Sequence, residues 1–447
     1  MFGDLFEPKH FDSFFSENTL STTFELSISD SKTRGVDGET PQMFSKELDE
    51  NVKRISESVV SGKYRFTRFK EKLILKGAKQ PPREVFIPTV SDRLVLRCLH
   101  DYLAEKFPAA HTPLPHTCIK AIKTRLKSTD QSLCFLRVDI KNFYPSIWHG
   151  KLMVEILKVV TDKTCLNLIK SAISTTAHKK ELSKRGVPQG LSISNRLANI
   201  MLERSDEIFR EKFGSENYFR YVDDILVITK VDSAVSDFSE IAKALKTAGL
   251  VVHGLDAKGV TKSKSQIRAL DIGVEYLGFS LKSNRISVRK ASLKRMYDRI
   301  VGLITGLKYE RNFGRVSFKL DLMISGCIFK GKRFGWLHFF QQSDDVSQLV
   351  NLDRFVKRLK VVSKIPNEHK VKSFVKAYHE IKYNSANTKY VPNFDDASLD
   401  FKKAILVKFG NSPDIELWTL EKIDSRFFSI VSKMARELEQ DILEPTS

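Results

Sequence analysis

The chain has 447 residues, of which 41% are hydrophobic and 29% charged, so it can form packed cores and is not of the disordered class. Lys and Arg outnumber Asp and Glu by 74 to 54, and the net charge of +20 favours nucleic acid as partner. No run approaches the roughly 20 apolar residues of a membrane helix, and the five cysteines form no C-x-x-C pair. We therefore expect a protein of the reducing cytoplasm, without membrane contact, disulfide framework or zinc site.

The first part of the chain is predicted to be mainly helical. Residues 29–40 are polar and predict a loop, and apolar spacing over 43–60 predicts an amphipathic helix. Two apolar runs separated by Gly77 and a Pro-Pro pair predict a basic hairpin. Ser91 then predicts the N-cap of a further helix. Arg93, which follows Asp92, is expected to form a structural ion pair.

The central part alternates strands with helices. The apolar run Leu133–Val138 predicts a buried strand that ends at Asp139. Helical spacing follows over 151–174, then a turn at Gly186–Gly190, and then a second helix. The strands YFRYV and ILVIT are separated only by Asp223 and Asp224, which predicts a hairpin with both acids at its tip.

The last part is predicted to be helical and basic beyond Ala291, after a helix over 232–250 and one more strand, EYLGFSLKS. Near the C-terminal end, Trp418, Leu420 and Ile423 are expected to belong to the core. The whole pattern predicts an α+β fold in which an antiparallel sheet is backed by helices and carries acids at one edge. If the strands that end in Asp139 and in the Asp doublet are neighbours, three carboxylates converge. Such a set suits two magnesium ions that promote nucleotidyl transfer. The alternative is that each Asp only stabilises a turn.

Four segments in order carry a resemblance to a known family: RVDIKNFYPSI, GVPQGLSISNRLANIML, YFRYVDDILVI and EYLGFSL. They resemble the palm motifs of reverse transcriptases, with YVDD in the place of that family's tetrapeptide. Upstream, PPREVFIPTVSDRLVLRCL resembles the finger region of bacterial group II intron and retron-type enzymes. The resemblance covers residues 34–359. The chain is most like the domesticated reverse transcriptases of antiviral defence and abortive infection.

The resemblance implies an α+β right-hand polymerase with fingers, palm and helical thumb. The implied parts are an N-terminal extension (1–33), fingers (34–126), palm (127–281, with a finger insertion at about 151–185), thumb (282–362) and a C-terminal helical appendix (363–447). It also implies an RNA-directed DNA polymerase that uses two Mg²⁺ ions, with Mn²⁺ as a substitute. The implied partners are an RNA template, a DNA product, deoxynucleoside triphosphates and a non-coding RNA.

The resemblance also assigns individual residues. Catalytic and metal-binding groups would be Asp139, Asp223 and Asp224. Asp139 and Asp223 would bind both metals, aided by the backbone carbonyl of Ile140, and Asp224 would lie near the primer end. Contacts to the incoming nucleotide would come from Arg83, Lys79, Tyr144 and Gln189, where Tyr144 would exclude a 2′-hydroxyl. Leu277, Gly278 and Phe279 would position the primer. In the basic thumb, Arg289, Lys290, Lys294 and Arg295 would follow the nucleic-acid backbone.

Several features depart from the family pattern and leave alternatives open. No S-x-G-F-R-like motif lies between Asp92 and Asp139, and no single lysine among Lys258, Lys262 and Lys264 stands out as the one that assists pyrophosphate. Motifs of retron enzymes and of H-N-H endonucleases are not evident, which favours a domesticated enzyme. The competing hypotheses are a catalytically silent nucleic-acid-binding scaffold with the same fold and an RNA-dependent RNA polymerase.

Overall fold

The computed structural model of the protein describes residues 10–75, 82–127, 132–175, 184–256, 263–306, 312–366, 370–410 and 413–443. Helices and antiparallel strand pairs are mixed along the chain, so the predicted α+β class is confirmed. The described residues of 1–113 and 134–267 form one compact unit, and those of 114–133 and 268–447 form a second. No helix in these described ranges is long and apolar enough to cross a membrane. The boundaries of fingers, palm and thumb stay a prediction.

The first unit combines helices with two small sheets. Its helices are α1 (Glu17–Ser27), α2 (Pro41–Phe44), α3 (Leu48–Val60), α4 (Val90–Lys106), α6 (Phe143–Ser146), α7 (His149–Leu157), α8 (Lys163–Ser174), α9 (Ser194–Phe213) and α10 (Ala234–Thr247), while α5 (Pro115–Leu126) belongs to the second unit. Its strands are β1 (Lys70–Ile74), β2 (Arg83–Ile87), β3 (Leu133–Asp139), β4 (Tyr218–Tyr221), β5 (Asp224–Lys230) and the start of β6 (Gln266–Ala269).

The four-stranded sheet has the order β4-β5-β3-β6, so the two predicted acid-bearing segments are neighbours. Strand β3 ends at Asp139, as predicted. Strands β4 and β5 form the predicted hairpin, in which Tyr221 pairs with Asp224. Successive residues of β5 from Ile225 to Ile228 are buried, which is typical of a strand covered on both faces. This sheet fixes where the acids lie.

Helix starts differ from the prediction in two places. The helix predicted over 43–60 begins at Leu48, because residues 41–47 form the short α2 and a 3₁₀ turn. Helix α4 begins at Val90 and its N-cap is Thr89, whose hydroxyl accepts from the backbone N–H of Asp92 at 3.2 Å. Ser91 therefore lies inside the first turn and is not the cap.

Helix α9 is joined to strand β4 by a buried ionic network. The Asp206 carboxylate, 4% exposed, accepts from Arg220 Nε at 2.7 Å and from the Tyr218 hydroxyl at 2.7 Å. A second guanidinium nitrogen of Arg220 donates to the other Asp206 oxygen. Arg220 Nη1 donates to Asn199 Oδ1 and to the carbonyl of Val222, both at 3.0 Å. The helix thus holds the hairpin through charge-assisted hydrogen bonds.

The second unit is a helical body with short antiparallel strands. After α5, its helices are α11 (Lys290–Thr305), α12 (Phe313–Ser325), α13 (Trp336–Phe339), α14 (Val346–Val362), α15 (Phe374–Tyr383), α16 (Leu399–Lys408) and α17 (Leu420–Leu443). Its strands are β7 (Val274–Tyr276), β8 (Phe279–Lys282), β9 (Arg285–Val288), β10 (Cys327–Phe329) and β11 (Lys332–Phe334), arranged as a β7-β8-β9 sheet and a β10-β11 hairpin.

The C-terminal helices share one apolar core with the helices before them. Phe394, Ile405 and Phe427 pack in the same cluster as Leu322 of α12 and Phe329 of β10. Among the three residues predicted as core of this region, Ile423 is buried and Trp418 packs against the cluster. The prediction for Leu420 is wrong, because this first residue of α17 is 63% exposed.

The Asp206–Arg220 network generates a stability prediction. Asp206→Ala removes both carboxylate acceptors from an Arg220 side chain that is 9% exposed, so the charge stays in a poorly hydrated site. We expect a loss of about 3–5 kcal/mol in the free energy of unfolding, measured by urea denaturation. Glu207→Ala, at the exposed neighbouring position, is the control and should change it by less than about 0.5 kcal/mol. Equal effects of the two variants would contradict a structural role of the network.

Candidate active site

The tip of the β4-β5 hairpin is a two-residue turn that places the Asp doublet beside β3. The turn consists of Val222 and Asp223, and Asp224 is already the first residue of β5. Val222 has a φ of +57°, which is unfavourable for a β-branched residue. The backbone N–H of Ile140 donates to the carbonyl of Asp223 at 3.0 Å. The predicted hairpin is confirmed, but the prediction that both acids form its tip is wrong, because the turn is Val222 and Asp223 and Asp224 already pairs with Tyr221. A direct hydrogen bond joins the turn to the residue after Asp139.

Asp139 is buried, and its main chain is fixed on both sides. Its N–H donates to Ser265 Oγ at 3.1 Å, and its carbonyl accepts from the N–H of His253 at 2.9 Å. Its Oδ1 is buried and accepts no hydrogen bond from the described residues, although His253 Nε2 lies at 3.3 Å and Lys264 Nζ at 3.6 Å. Burial raises the pKa of Asp139, and Lys264 opposes this shift. Of the three candidate lysines, Lys258 and Lys262 lie outside the described residues.

Asp224 has a different environment from Asp139. Its two carboxylate oxygens accept from Arg137 Nε at 2.8 Å and Nη2 at 2.7 Å, a bidentate ion pair between β5 and β3. Both side chains are largely buried, at 14% and 18% exposure. Burial raises the pKa of Asp224 to about 6, and the guanidinium of Arg137 opposes the shift. Within the doublet, Asp223 therefore lies in the turn, whereas Asp224 forms an ion pair with Arg137.

The donors at this edge fit hard divalent cations. A buried carboxylate oxygen without a hydrogen-bond donor, Asp139 Oδ1, is an oxygen ligand available to a cation. Within the described parts of the chain, no group of three or more His, Cys, Asp and Glu side chains is close enough to hold a metal. Magnesium is commonly held by one or two carboxylates together with substrate phosphates and water. Asp139 and Asp223, beside the backbone of Ile140, fit that donor set.

A cavity of about 480 Å³ brings together three of the predicted nucleotide-binding residues. Arg83, Tyr144 and Gln189 all line it, together with residues that were not predicted, among them Arg97 and Asn195. Lys79, the fourth predicted residue, lies outside the described residues. Asn195 could have been predicted from the sequence as a cavity residue, because it is a polar residue in the first turn of the helix that follows the GVPQG turn.

Backbone hydrogen bonds hold this cavity together. The N–H of Val187 donates to the carbonyl of Tyr144 at 2.9 Å, and the N–H of Phe86 donates to the carbonyl of Gln189 at 2.7 Å. Gly190 has a φ of +104°, and a Cβ added there would lie 2.6 Å from the carbonyl oxygen of Phe86. Only glycine fits so close to β2 in this conformation. The GVPQG turn thus joins β2, which begins at Arg83 and pairs with β1, to α6, which contains Tyr144.

The Tyr144 side chain is anchored at its hydroxyl, which donates to Asn195 Oδ1 on α9. Burial strongly raises the pKa of Tyr144. A phenol that stays protonated and is tethered at one end holds its ring in one orientation. The ring therefore forms a fixed part of the cavity wall.

Arg93 also lines the cavity, and its predicted ion pair with Asp92 is wrong. Its guanidinium donates to Ser31 Oγ at 2.8 Å and to the carbonyl of Thr33 at 2.9 Å. Asp92 instead accepts from the Tyr64 hydroxyl at 2.8 Å. Neighbouring residues on a helix point in different directions, so adjacency in sequence does not produce a side-chain pair.

The remaining predicted site residues lie in the second unit. Leu277 and Gly278, with φ of +48° and +86°, form the turn between β7 and β8, and Phe279 is buried behind it. The carbonyl of Gly278 accepts from the N–H of Arg289 at 3.0 Å, which fixes this turn against the start of α11. Of the predicted backbone-binding residues on α11, Lys290 and Lys294 are exposed and Arg295 is half-buried.

Comparison with known proteins finds a family match over part of the chain and several distant relatives. Residues 74–281 match the family described as reverse transcriptase (RNA-dependent DNA polymerase). An uncharacterized 91 kDa protein in the cob intron of Schizosaccharomyces pombe is 30% identical over 179 residues, 37% of this chain and 21% of that protein. Protein YkfC of Escherichia coli is 24% identical over 202 residues, 42% of this chain and 53% of that one.

One further relative and one solved structure are also similar to this chain. The group II intron-encoded protein LtrA of Lactococcus lactis is 25% identical over 199 residues, 41% of this chain and 32% of that protein. The chain thus spans between about a fifth and a half of the length of these relatives. Among solved structures, telomerase from Candida albicans with a fragment of telomeric RNA has a TM-score of 0.42 at 14% identity, covering 91% of this chain and 72% of that one.

Asp139 Oδ1, which is buried and accepts no hydrogen bond from the described residues, generates a prediction about stability and metal. Asp139→Asn removes a poorly solvated charge, so without divalent cations it should raise the free energy of unfolding by about 1 kcal/mol. Addition of Mg²⁺ should raise the melting temperature of the wild type but not of this variant, because the ion binds the folded protein at Asp139. Asp232→Asn, an exposed acid of the same unit, serves as control and should respond as the wild type does. A Mg²⁺-dependent shift that survives in Asp139→Asn would argue against a metal at this residue.

Proposed function

We propose, from the reverse transcriptase domain at residues 74–281, that the protein is an RNA-directed DNA polymerase. It would extend a DNA primer along an RNA template, with deoxynucleoside triphosphates as substrates. The observation that carries the proposal is the pairing of Asp139 and Asp223 at one sheet edge, in the unit whose cavity is lined by Arg83, Tyr144 and Gln189. Acids for metal and a polar cavity for nucleotide are the two parts that this reaction needs.

The reaction joins the primer 3′-oxygen to the α-phosphorus of the nucleotide and breaks the bond to pyrophosphate. Two bound magnesium ions would polarise the attacking oxygen and stabilise charge on the leaving group. Asp139 and Asp223 would hold them. Arg83 would bind the triphosphate, since a guanidinium matches phosphate oxygens in pairs. The ring of Tyr144 would lie under the sugar, and Gln189 would contact the nucleotide beside it.

The basic second unit would hold the nucleic acid. Arg289, Lys290, Lys294 and Arg295 would contact phosphates of the template–primer duplex, and the Leu277–Phe279 turn would position the primer. The net charge of +20 supports binding to a polyanion without sequence preference. The proposal extends to a role in bacterial antiviral defence with a non-coding RNA as template, which rests on the resemblance of sequence motifs. Sequencing the nucleic acid that co-purifies with the protein, before and after deoxynucleotides are added, would identify that template.

The proposed chemistry predicts the effect of losing one carboxylate. Asp223→Asn keeps the size of the side chain but removes a ligand charge, so kcat/KM for nucleotide incorporation should fall at least ~100-fold, about 2.7 kcal/mol of transition-state stabilisation. The measurement is primer extension on an RNA template with Mg²⁺ and with Mn²⁺. Asp232→Asn, the exposed control, should keep the wild-type rate. A wild-type protein that binds template–primer but incorporates nothing with either ion would instead favour the silent scaffold.

The Tyr144 ring predicts how the enzyme selects the sugar. Tyr144→Ala removes the wall beneath the sugar, so incorporation of ribonucleotides relative to deoxynucleotides should rise about 10-fold or more. The measurement is the ratio of the two kcat/KM values. Tyr144→Phe keeps the ring and loses only the bond to Asn195, and should leave the ratio largely unchanged. If Tyr144→Ala also left the ratio unchanged, Tyr144 would be ordinary core and the sugar preference would need another cause.

A further inference from the structure

The residue two positions before Asp139 makes a bidentate side-chain contact at the acid edge. Arg137 on β3 binds both oxygens of Asp224 on β5 with hydrogen bonds of 2.8 and 2.7 Å. A bidentate pair of this kind fixes direction as well as distance. Arg137 is 18% exposed and Asp224 14%, so water competes little for either partner. The pair therefore sets how β5 begins.

We propose that Arg137 is a positioning residue, which holds Asp224 out of the metal site and uses it to anchor the hairpin tip that presents Asp223. This inference rests on the proposed function, because it takes Asp223 as a metal ligand and Asp224 as the residue that fixes the hairpin through Arg137. It gives a role to Arg137, the first residue of the motif RVDIKNFYPSI, for which the resemblance implied none, and it makes Asp224 the structural partner of Arg137 rather than a metal ligand.

The geometry around the tip supports this division. Asp224 pairs with Tyr221 in the hairpin ladder, so fixing Asp224 also fixes the turn that carries Asp223. On the other side, Arg220 donates to the carbonyl of Val222 at 3.0 Å. The turn between these two arginines contains a β-branched residue with a φ of +57°. A conformation of that kind persists only where the surroundings impose it.

The number of available metal ligands also supports a structural role for Asp224. Within the described residues, no three side chains among His, Cys, Asp and Glu lie close enough together to hold a metal. An Asp224 whose two oxygens already accept from Arg137 would have to break a buried ion pair in order to bind a cation. Two carboxylates are sufficient for magnesium when substrate phosphates complete the ligand set. Asp139 and Asp223 are those two.

The experiment measures metal binding and thermal stability in the full chain without nucleotide. Mn²⁺ is titrated and followed by electron paramagnetic resonance, and melting temperatures are recorded. The variants are Asp223→Asn, Asp224→Asn, Arg137→Met and the double variant Arg137→Met/Asp224→Leu. Lys230→Ala, an exposed residue at the far end of β5, is the control. Asp224→Asn keeps the volume and one acceptor for Arg137, so it remains informative if a larger change prevents folding.

The inference expects Asp223→Asn to weaken Mn²⁺ binding at least ~10-fold, and Asp224→Asn to change it less than ~3-fold. Arg137→Met should lower the melting temperature by about 5 °C or more, because it leaves Asp224 as a buried charge. It should also weaken Mn²⁺ binding, since the tip is released. The double variant replaces the ion pair by apolar side chains and should recover the melting temperature to within about 2 °C, together with Mn²⁺ affinity.

Two results would overturn the inference in distinguishable ways. If Asp224→Asn and the double variant lose as much Mn²⁺ affinity as Asp223→Asn, then Asp224 is a ligand and Arg137 does not withdraw it. If Asp223→Asn binds Mn²⁺ as tightly as the wild type, the metal site of the proposed function is itself absent, and the division of the doublet fails with it. The Lys230→Ala control should match the wild type in both measurements.

Discussion

The placement of negative charge at one buried edge of the sheet is the constraint on which the rest of the first unit depends. Asp139 and Asp224 lie at the ends of neighbouring strands with largely buried side chains, so each charge needs a compensating group. The chain meets this need in two ways. Arg137 neutralises Asp224 through a bidentate pair, whereas Asp139 keeps an oxygen with no hydrogen bond from any described residue. The Arg137–Asp224 pair stabilises the hairpin. The Asp139 oxygen without a hydrogen bond leaves a site that a cation would stabilise.

Helix α9 relates this edge to the cavity lined by Arg83, Tyr144 and Gln189. Asn195, Asn199 and Asp206 are four and seven residues apart, so they lie on nearly the same face of the helix. The first accepts from the Tyr144 hydroxyl, and the other two accept from Arg220 beside the hairpin tip. One rigid element therefore sets the position of the cavity wall and of the acid-bearing turn together. A catalytic geometry that must be accurate to a fraction of an ångström is better held by a single helix than by separate loops.

The sequence was sufficient for the features that depend on local pattern. The apolar run before Asp139 and the two strands around the Asp doublet specify their elements through composition and length, and glycine in GVPQG specifies its turn. Features that depend on which elements meet could not be predicted in this way. The partner of Arg137 becomes evident only when β3 and β5 are neighbours, and Arg93 contacts Ser31 rather than the adjacent Asp92 because of how α4 packs. Leu420 was assigned to the core by its type alone, and its place at the exposed start of α17 depends on the tertiary packing of the helix.

Under the proposed division, the two members of the Asp doublet have opposite physical tasks. A metal ligand must keep its oxygens available, which leaves a folded protein without bound cation less stable than it could be. An anchor must have its oxygens occupied, which stabilises the fold but removes them from the chemistry. Because the two residues are adjacent and the turn falls between Tyr221 and Asp224, Asp223 lies in the turn and Asp224 lies in the strand. The hairpin register therefore separates the two tasks. The unfavourable backbone conformation of Val222 is held by Arg220, which donates to the Val222 carbonyl, and by Arg137, which binds the side chain of Asp224 two residues later.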